Sequence, residues 1–253
     1  MMRGLLVATG FLTRIPVPVR VFDDERAKTQ SLAWYPLVGL LLGAGLAGLA
    51  WCLEGAPALL TAALVMIAWV ALTGALHLDG LADSADAWIG GLGGTPSESR
   101  ARTLEIMKDP RCGPAGVVAL VLVLLLKFAA LASLPLHAIV LLPLAPLLAR
   151  AMLTLAFVTT PYVRKGGLGS DLVSAPRVAC WSSVVAAGGV CLAAGWAGAI
   201  ALLTALLVFA SWRRTCLRRI RGTTGDTAGA LAELVEAAVL VAIVLASTSA
   251  LFR

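Results

Sequence analysis

The stretch His77-Leu78-Asp79-Gly80-Leu81-Ala82-Asp83-Ser84-Ala85-Asp86 sets three aspartates at i, i+4 and i+7. On a helix of about 3.6 residues per turn they fall within roughly 60° of one another on one face. Carboxylates stacked in this way repel one another. The residues between them are small or apolar, and no Lys or Arg stands within a helical turn. A bound divalent cation is the simplest compensation, since carboxylate oxygens are what Mg²⁺, Mn²⁺ and Ca²⁺ select. The bland alternative is an acidic helix end sitting in water. Asp79, Asp83 and Asp86 are therefore expected to be metal ligands and to carry the catalysis. His77 lies at least roughly 120° around the helix from them, so a hydrogen-bonded or packing role is expected of it.

A second acidic face runs through Asp226, Gly229 and Glu233, at i, i+3 and i+7. Asp226 and Glu233 are expected to join the metal set, with Gly229 and Ala230 allowing another helix to approach closely. Asp226 reads equally as a charge favoured at a helix N-terminus. The connection Arg102 to Pro114 mixes Lys108 and Arg111 with Asp109. Guanidinium forks and a point charge suit a diphosphate, so Lys108 and Arg111 are expected to bind substrate. Arg150, in Leu147-Leu148-Ala149-Arg150-Ala151-Met152, lies deep in an apolar run, where an Arg faces the bundle and has a partner or a ligand. It is expected to bind phosphate or to pair with an aspartate. Lys127 is expected to snorkel to an interface, and Arg14 to line the site.

These residues must be positioned by membrane-spanning helices. Apolar residues make up 60% of the 253-residue chain and charged residues 13%, against about 25% charged in a soluble domain. Runs of span length, about 20 residues, recur without strand-like alternation, so the spans are helical. We expect an all-α polytopic bundle forming one catalytic domain over 1–253. Seven spans are expected at roughly 36–53, 57–78, 114–134, 137–159, 176–194, 197–213 and 230–251, each about the length that crosses a bilayer. A turn at Gly195-Trp196-Ala197-Gly198 divides the fifth from the sixth. Residues 1–35 read as a short interfacial segment, without a signal-peptide cleavage site, and 79–113 as a cytoplasmic active-site loop. Arginines and lysines crowd every second connection, and the connections near Glu54, Leu134 and Trp196 have none. The basic loops belong to the cytoplasm, which puts the N-terminus and both acidic faces there. The net charge of +6 is thereby explained by topology, without nucleic-acid binding. Cys52, Cys112, Cys180, Cys191 and Cys216 lack metal-ligand spacing and are assigned neither disulfide nor metal.

Four segments together carry a family resemblance: Phe11-Leu12-Thr13-Arg14-Ile15-Pro16, His77 to Asp86, Ile106-Met107-Lys108-Asp109, and Gly225-Asp226 with Gly229-Ala230 and Glu233. In that order, over nearly the whole chain, they resemble the cobalamin synthase family, also called adenosylcobinamide-GDP ribazoletransferases. The resemblance implies a Mg²⁺-dependent enzyme of the bacterial cytoplasmic (inner) membrane. It would join adenosylcobinamide-GDP to α-ribazole or its 5′-phosphate and release GMP. The lipid bilayer is then its surroundings, and a homo-oligomer stays open. The logic is similar to that of CDP-alcohol phosphotransferases, but Asp79-x₃-Asp83-x₂-Asp86 lacks their DxxDGxxAR signature, which leaves a phospholipid substrate as an alternative. An ion-coupled transporter would instead string polar residues through the bilayer midplane.

Overall fold

The computed structural model describes residues 2–164 and 169–248. They form α1 (Met2–Leu12), α2 (Glu25–Ser31), α3 (Tyr35–Cys52), α4 (Ala58–Thr73), α5 (Leu76–Gly90), α6 (Pro96–Ile106), α7 (Pro114–Ala132), α8 (Leu144–Thr159), α9 (Arg177–Ala193), α10 (Gly195–Ile220) and α11 (Gly225–Thr248), with short 3₁₀ turns between some of them. Among the described residues the only strand-like pairing is an isolated parallel bridge between Tyr162 and Thr223. The all-helical membrane architecture expected from composition is what the chain adopts.

The central helices are α8 and α11. Every residue of α8 from Leu144 to Ala156 is buried, while α7 and α10 turn rows of Leu and Val outward, such as Leu122, Leu125, Leu203 and Leu207. Lipid is as apolar as a leucine, so helix association in a bilayer depends on close packing. Glycines supply it where α3 meets α8: a Cβ on Gly43 would come 2.5 Å from Pro143 Cα, and one on Gly39 would overlap the Pro146 carbonyl.

Among the described residues five helical segments are long and apolar enough to span a membrane, or six if α4 and α5 count as one bent span. That corrects the expected seven. The stretch 57–78 is interrupted: α4 ends at Thr73, and α5 sets off at 87° to it. Gly74 (φ +61°) and Ala75 (φ +58°) both take the left-handed conformation that makes this corner. Glycine does so without cost, whereas Ala75 must be held there by its surroundings. The expected fifth span, α9, is only 17 residues long. The division from α10 falls at Ala194 and Gly195 (φ +76°), and α10 runs on past 213 to Ile220, carrying its arginines on a helix.

Two further boundaries move. The N-terminal segment is tucked against the bundle, and α2 leads through the 3₁₀ turn Leu32–Trp34 into α3, so that Glu25–Cys52 reads as one span-length element. Most of 79–113, expected to be a loop, is helical in α5 and α6. Thr95 and Glu98 form a reciprocal capping box that starts α6, a stable N-terminus for a helix of low apolarity.

Candidate active site at the junction of α5 and α11

Asp79 and Asp226 reach the same space because α5 and the start of α11 touch through their backbones. A Cβ on Gly80 would lie 2.6 Å from the Asp226 carbonyl oxygen, and one on Gly229 would lie 3.2 Å from the His77 carbonyl oxygen. The close approach expected at Gly229 is made, and Gly80 makes the reciprocal one. Thr224 starts α11: its Oγ1 accepts from the Thr227 N–H at 3.2 Å, as an N-cap side chain does.

The two helices border a cavity of about 540 Å³ whose wall includes His77, Asp79, Tyr162, Arg164, Asp226 and Gly229. That volume lies in the range of small-molecule sites, roughly 300–1,000 Å³. The segment after α8 supplies its far wall. The Thr223 N–H donates to the Pro161 carbonyl at 2.8 Å and the Val163 N–H to the Thr223 carbonyl at 3.0 Å, and Phe157 stacks on Tyr162 at 5.7 Å. This stitching aims Arg164 at α11, where its Nη1 donates to Asp226 Oδ2 at 2.8 Å. Sequence reasoning counted Arg164 only as a topological charge. Its partner lies 62 residues away, and no local spacing signals that.

The three aspartates of α5 have different surroundings. Asp79 is exposed to the cavity and Asp83 is half-buried, and among the described residues neither side chain has a hydrogen bond or ion pair. Asp86 Oδ2 accepts from the Gly113 N–H at 2.7 Å and Asp86 Oδ1 from the Gly116 N–H at 2.9 Å. It thus caps the N-terminus of α7, where unsatisfied N–H groups and the helix dipole favour an anion. Asp83 lies past the bend, outside the five spanning segments. Burial first, and then the charges of Asp79, Asp226 and Asp86, push its carboxyl up to about 6, against a smaller opposing effect of Arg164. The stripe is therefore short of positive charge even with Arg164 present.

Among the described residues no three His, Cys, Asp or Glu side chains converge closely enough to hold a metal ion. The chemistry of the set still fits a hard cation: Asp79 and Asp83 offer carboxylates without protein donors, and Asp226 stands beside them with one. Asp86 is already committed to α7.

Glu233 is elsewhere, and this corrects its expected place in the metal set. It lies two turns deeper in α11, where its Oε2 accepts from Lys127 Nζ at 3.0 Å. The same ammonium donates to Glu236 Oε2 at 2.6 Å and lies 4.2 Å from the centroid of the Trp69 ring. Glu236 also pairs with Arg150, whose Nη2 meets His77 Nδ1 at 3.3 Å. Lys127, Arg150, Glu233, Glu236 and His77 are all buried. Lys127 thus does not snorkel, and Arg150 binds a glutamate and a histidine in place of phosphate or an aspartate. The acids are not confined to one face of the membrane either: Glu236 lies about 16 Å along α11 from Gly225 at 1.5 Å per residue. Two cations and two anions close this network on themselves, which is how charges persist inside a bundle. An arginine cannot accept a hydrogen bond, so His77 Nδ1 is the acceptor and the neutral ring carries its proton on Nε2.

Of the other expected substrate-binding residues, none lines the cavity. Arg14 lies over the α4–α5 corner beside Gly74, with its backbone N–H donating to the Leu72 carbonyl at 2.6 Å. Lys108 is exposed. Arg111 forms a fork with its neighbour Asp109, at 2.9 and 2.7 Å.

The family model described as cobalamin-5-phosphate synthase (CobS) matches residues 4–244. A Pseudomonas aeruginosa protein named adenosylcobinamide-GDP ribazoletransferase is 55% identical, over 96% of this chain and 98% of its own length. Proteins of the same name from Stutzerimonas stutzeri (53% identical, 96% and 98% covered) and Pseudomonas fluorescens Pf0-1 (51%, 96% and 100%) are similar over the same extent. No solved structure matches. With the match running from α1 through the acidic faces of α5 and α11, the chain belongs to the cobalamin-5-phosphate synthase family.

Proposed function

We propose that this membrane enzyme transfers the adenosylcobinamide phosphate of adenosylcobinamide-GDP to α-ribazole or α-ribazole 5′-phosphate. The observation that carries the reading is the shared cavity of Asp79 and Asp226 in a chain similar over 96% of its length to a protein named as a ribazoletransferase. A ribose hydroxyl attacks the phosphorus bonded to the cobinamide, the diphosphate P–O bond breaks, and GMP leaves with the bridging oxygen. The hydroxyl proton passes to a carboxylate of the site. Phosphoryl transfer of this kind depends on positioning and on neutralising charge.

Asp79, Asp83 and Asp226 would offer carboxylates to Mg²⁺, which needs only one or two of them at a time and when bound supplies the charge neutralisation that a diphosphate demands. Arg164 stands at the same wall and would offer its guanidinium to a phosphate oxygen, and Asp226, its present partner, is among the carboxylates that would hold the metal. Asp86 keeps α5 in register with α7. The neutral His77 presents an N–H rather than a base. A cavity of about 540 Å³ takes a drug-sized group, so the reacting diphosphate and its immediate neighbours enter while the corrin ring stays at the mouth. The Arg- and Lys-rich connections support a mouth that opens at the cytoplasmic face of the bacterial inner membrane.

The test is GMP release by purified enzyme. Activity should vanish on chelation and return with Mg²⁺, and Asp83→Asn should lose it by at least about 100-fold, on the scale of removing charge stabilisation from a transition state, with expression intact. Full activity in Asp83→Asn, or in chelator, refutes the assignment.

A further inference from the structure

We propose that the basic end of α10, together with α6, forms a binding site for the phosphate of an anionic phospholipid, separate from the catalytic cavity. Leu203, Leu207, Ala210, Arg214 and Arg218 fall within roughly 60° of a common direction at 100° per residue. Leu203 and Leu207 are 58% and 63% exposed, so this stripe of a spanning helix faces the acyl chains. It changes from apolar to cationic within one turn, where a lipid changes from chain to headgroup.

Two adjoining grooves mark that level. One, of about 490 Å³, lies along Phe209, Arg213, Arg214 and Arg218. The other, of about 430 Å³, lies between α10 and α6 and is walled by Arg100, Arg218, Arg219 and Arg221. Arg218 belongs to both. No carboxylate lines either groove, and among the described residues none of these arginines is in a salt bridge. Arg219 is fixed from behind: its Nη1 donates to the Trp88 carbonyl at 3.0 Å, and its guanidinium lies 5.9 Å from the Trp88 ring centroid. Arg221 takes φ +59°, a conformation in which a non-glycine residue is strained. The neighbouring Gly222 would have taken it freely, so the sequence spends an arginine at a glycine position. A basic loop needed only for topology has no use for walled grooves, a shared central arginine or a strained one. Basic pockets between spanning helices bind anionic headgroups in this way.

The enzyme would be purified in zwitterionic detergent and titrated with phosphatidylglycerol or phosphatidylcholine, following the thermal midpoint and the lipid retained in native mass spectrometry. Phosphatidylglycerol should raise the midpoint and be retained in preference to phosphatidylcholine. Arg100→Gln/Arg218→Gln should lose roughly 30-fold in phosphatidylglycerol affinity, about fivefold per arginine. Arg20→Gln/Arg26→Gln removes the same charge from the N-terminal segment and should lose less than a third of that. Inorganic diphosphate, which the catalytic cavity also takes, should not displace the lipid. Equal retention of the two lipids by the wild type overturns the proposal, a result that needs no variant to fold. So does equal loss in the two double variants, an undiminished shift in Arg100→Gln/Arg218→Gln, or a diphosphate that displaces the lipid, which would make the grooves a free-anion site.

Discussion

Replacing Glu236 by Gln removes one charge and almost no volume from the most enclosed part of the bundle. Glu236 is fully buried and serves two cations, Lys127 and Arg150. With Glu233 the network holds two positive and two negative charges; Glu236→Gln leaves an excess positive charge with no water to solvate it. Removing one partner of a buried pair costs about 3–5 kcal/mol. For a chain of this length each kcal/mol shifts the midpoint by about 2–4 °C, so the loss should be roughly 6–20 °C in detergent at a fixed scan rate. The second perturbation is Lys127→Met, which alone leaves an excess negative charge. Combined with Glu236→Gln it restores neutrality, and the double variant should lie above the sum of the single losses, with a coupling of about 0.5–3 kcal/mol. A loss below about 1 kcal/mol for Glu236→Gln, or additive losses in the double variant, would refute the reading of the network as a charge-balanced structural unit.

Arg150→Lys keeps the charge but loses the planar fork that reaches both Glu236 and His77. It should cost about 1.5–3 kcal/mol, the range for hydrogen bonds to charged groups, and leave the KM for the GDP-linked substrate unchanged; a raised KM at constant stability would return Arg150 to phosphate binding. Gly80→Ala puts a Cβ 2.6 Å from a backbone carbonyl of α11, so it should push the two acidic helices apart and lower kcat by at least about tenfold, a small displacement at a reacting centre being expensive; wild-type kcat would show that the contact is not required. In a background without native cysteines, Glu54→Cys should be labelled from outside sealed cells and Ser97→Cys should not, and the reverse pattern would invert the proposed orientation.

The sequence by itself determined what chemistry and which membrane class are available. Composition and span-length apolar runs are enough to require helices, because lipid offers the backbone no other partner. The period of the aspartates is a local property, as is the small residue at Gly229, so both the acidic stripe of α5 and its close neighbour on α11 are legible from spacing alone. What spacing cannot carry is the partner of a charge. Asp86 looks identical to Asp79 in the i, i+4, i+7 pattern, yet it caps a helix that starts 28 residues later. Asp226 is compensated from residue 164 and Glu233 from residue 127. The 87° corner was equally hidden, since Thr73-Gly74-Ala75 is apolar enough to continue a span and only the tertiary setting holds Ala75 left-handed. Periodicity reports the face on which a side chain lies. Which other face it meets is decided when the helices pack, and in a low-dielectric interior that meeting decides whether a carboxylate is a ligand, a cap or half of an ion pair.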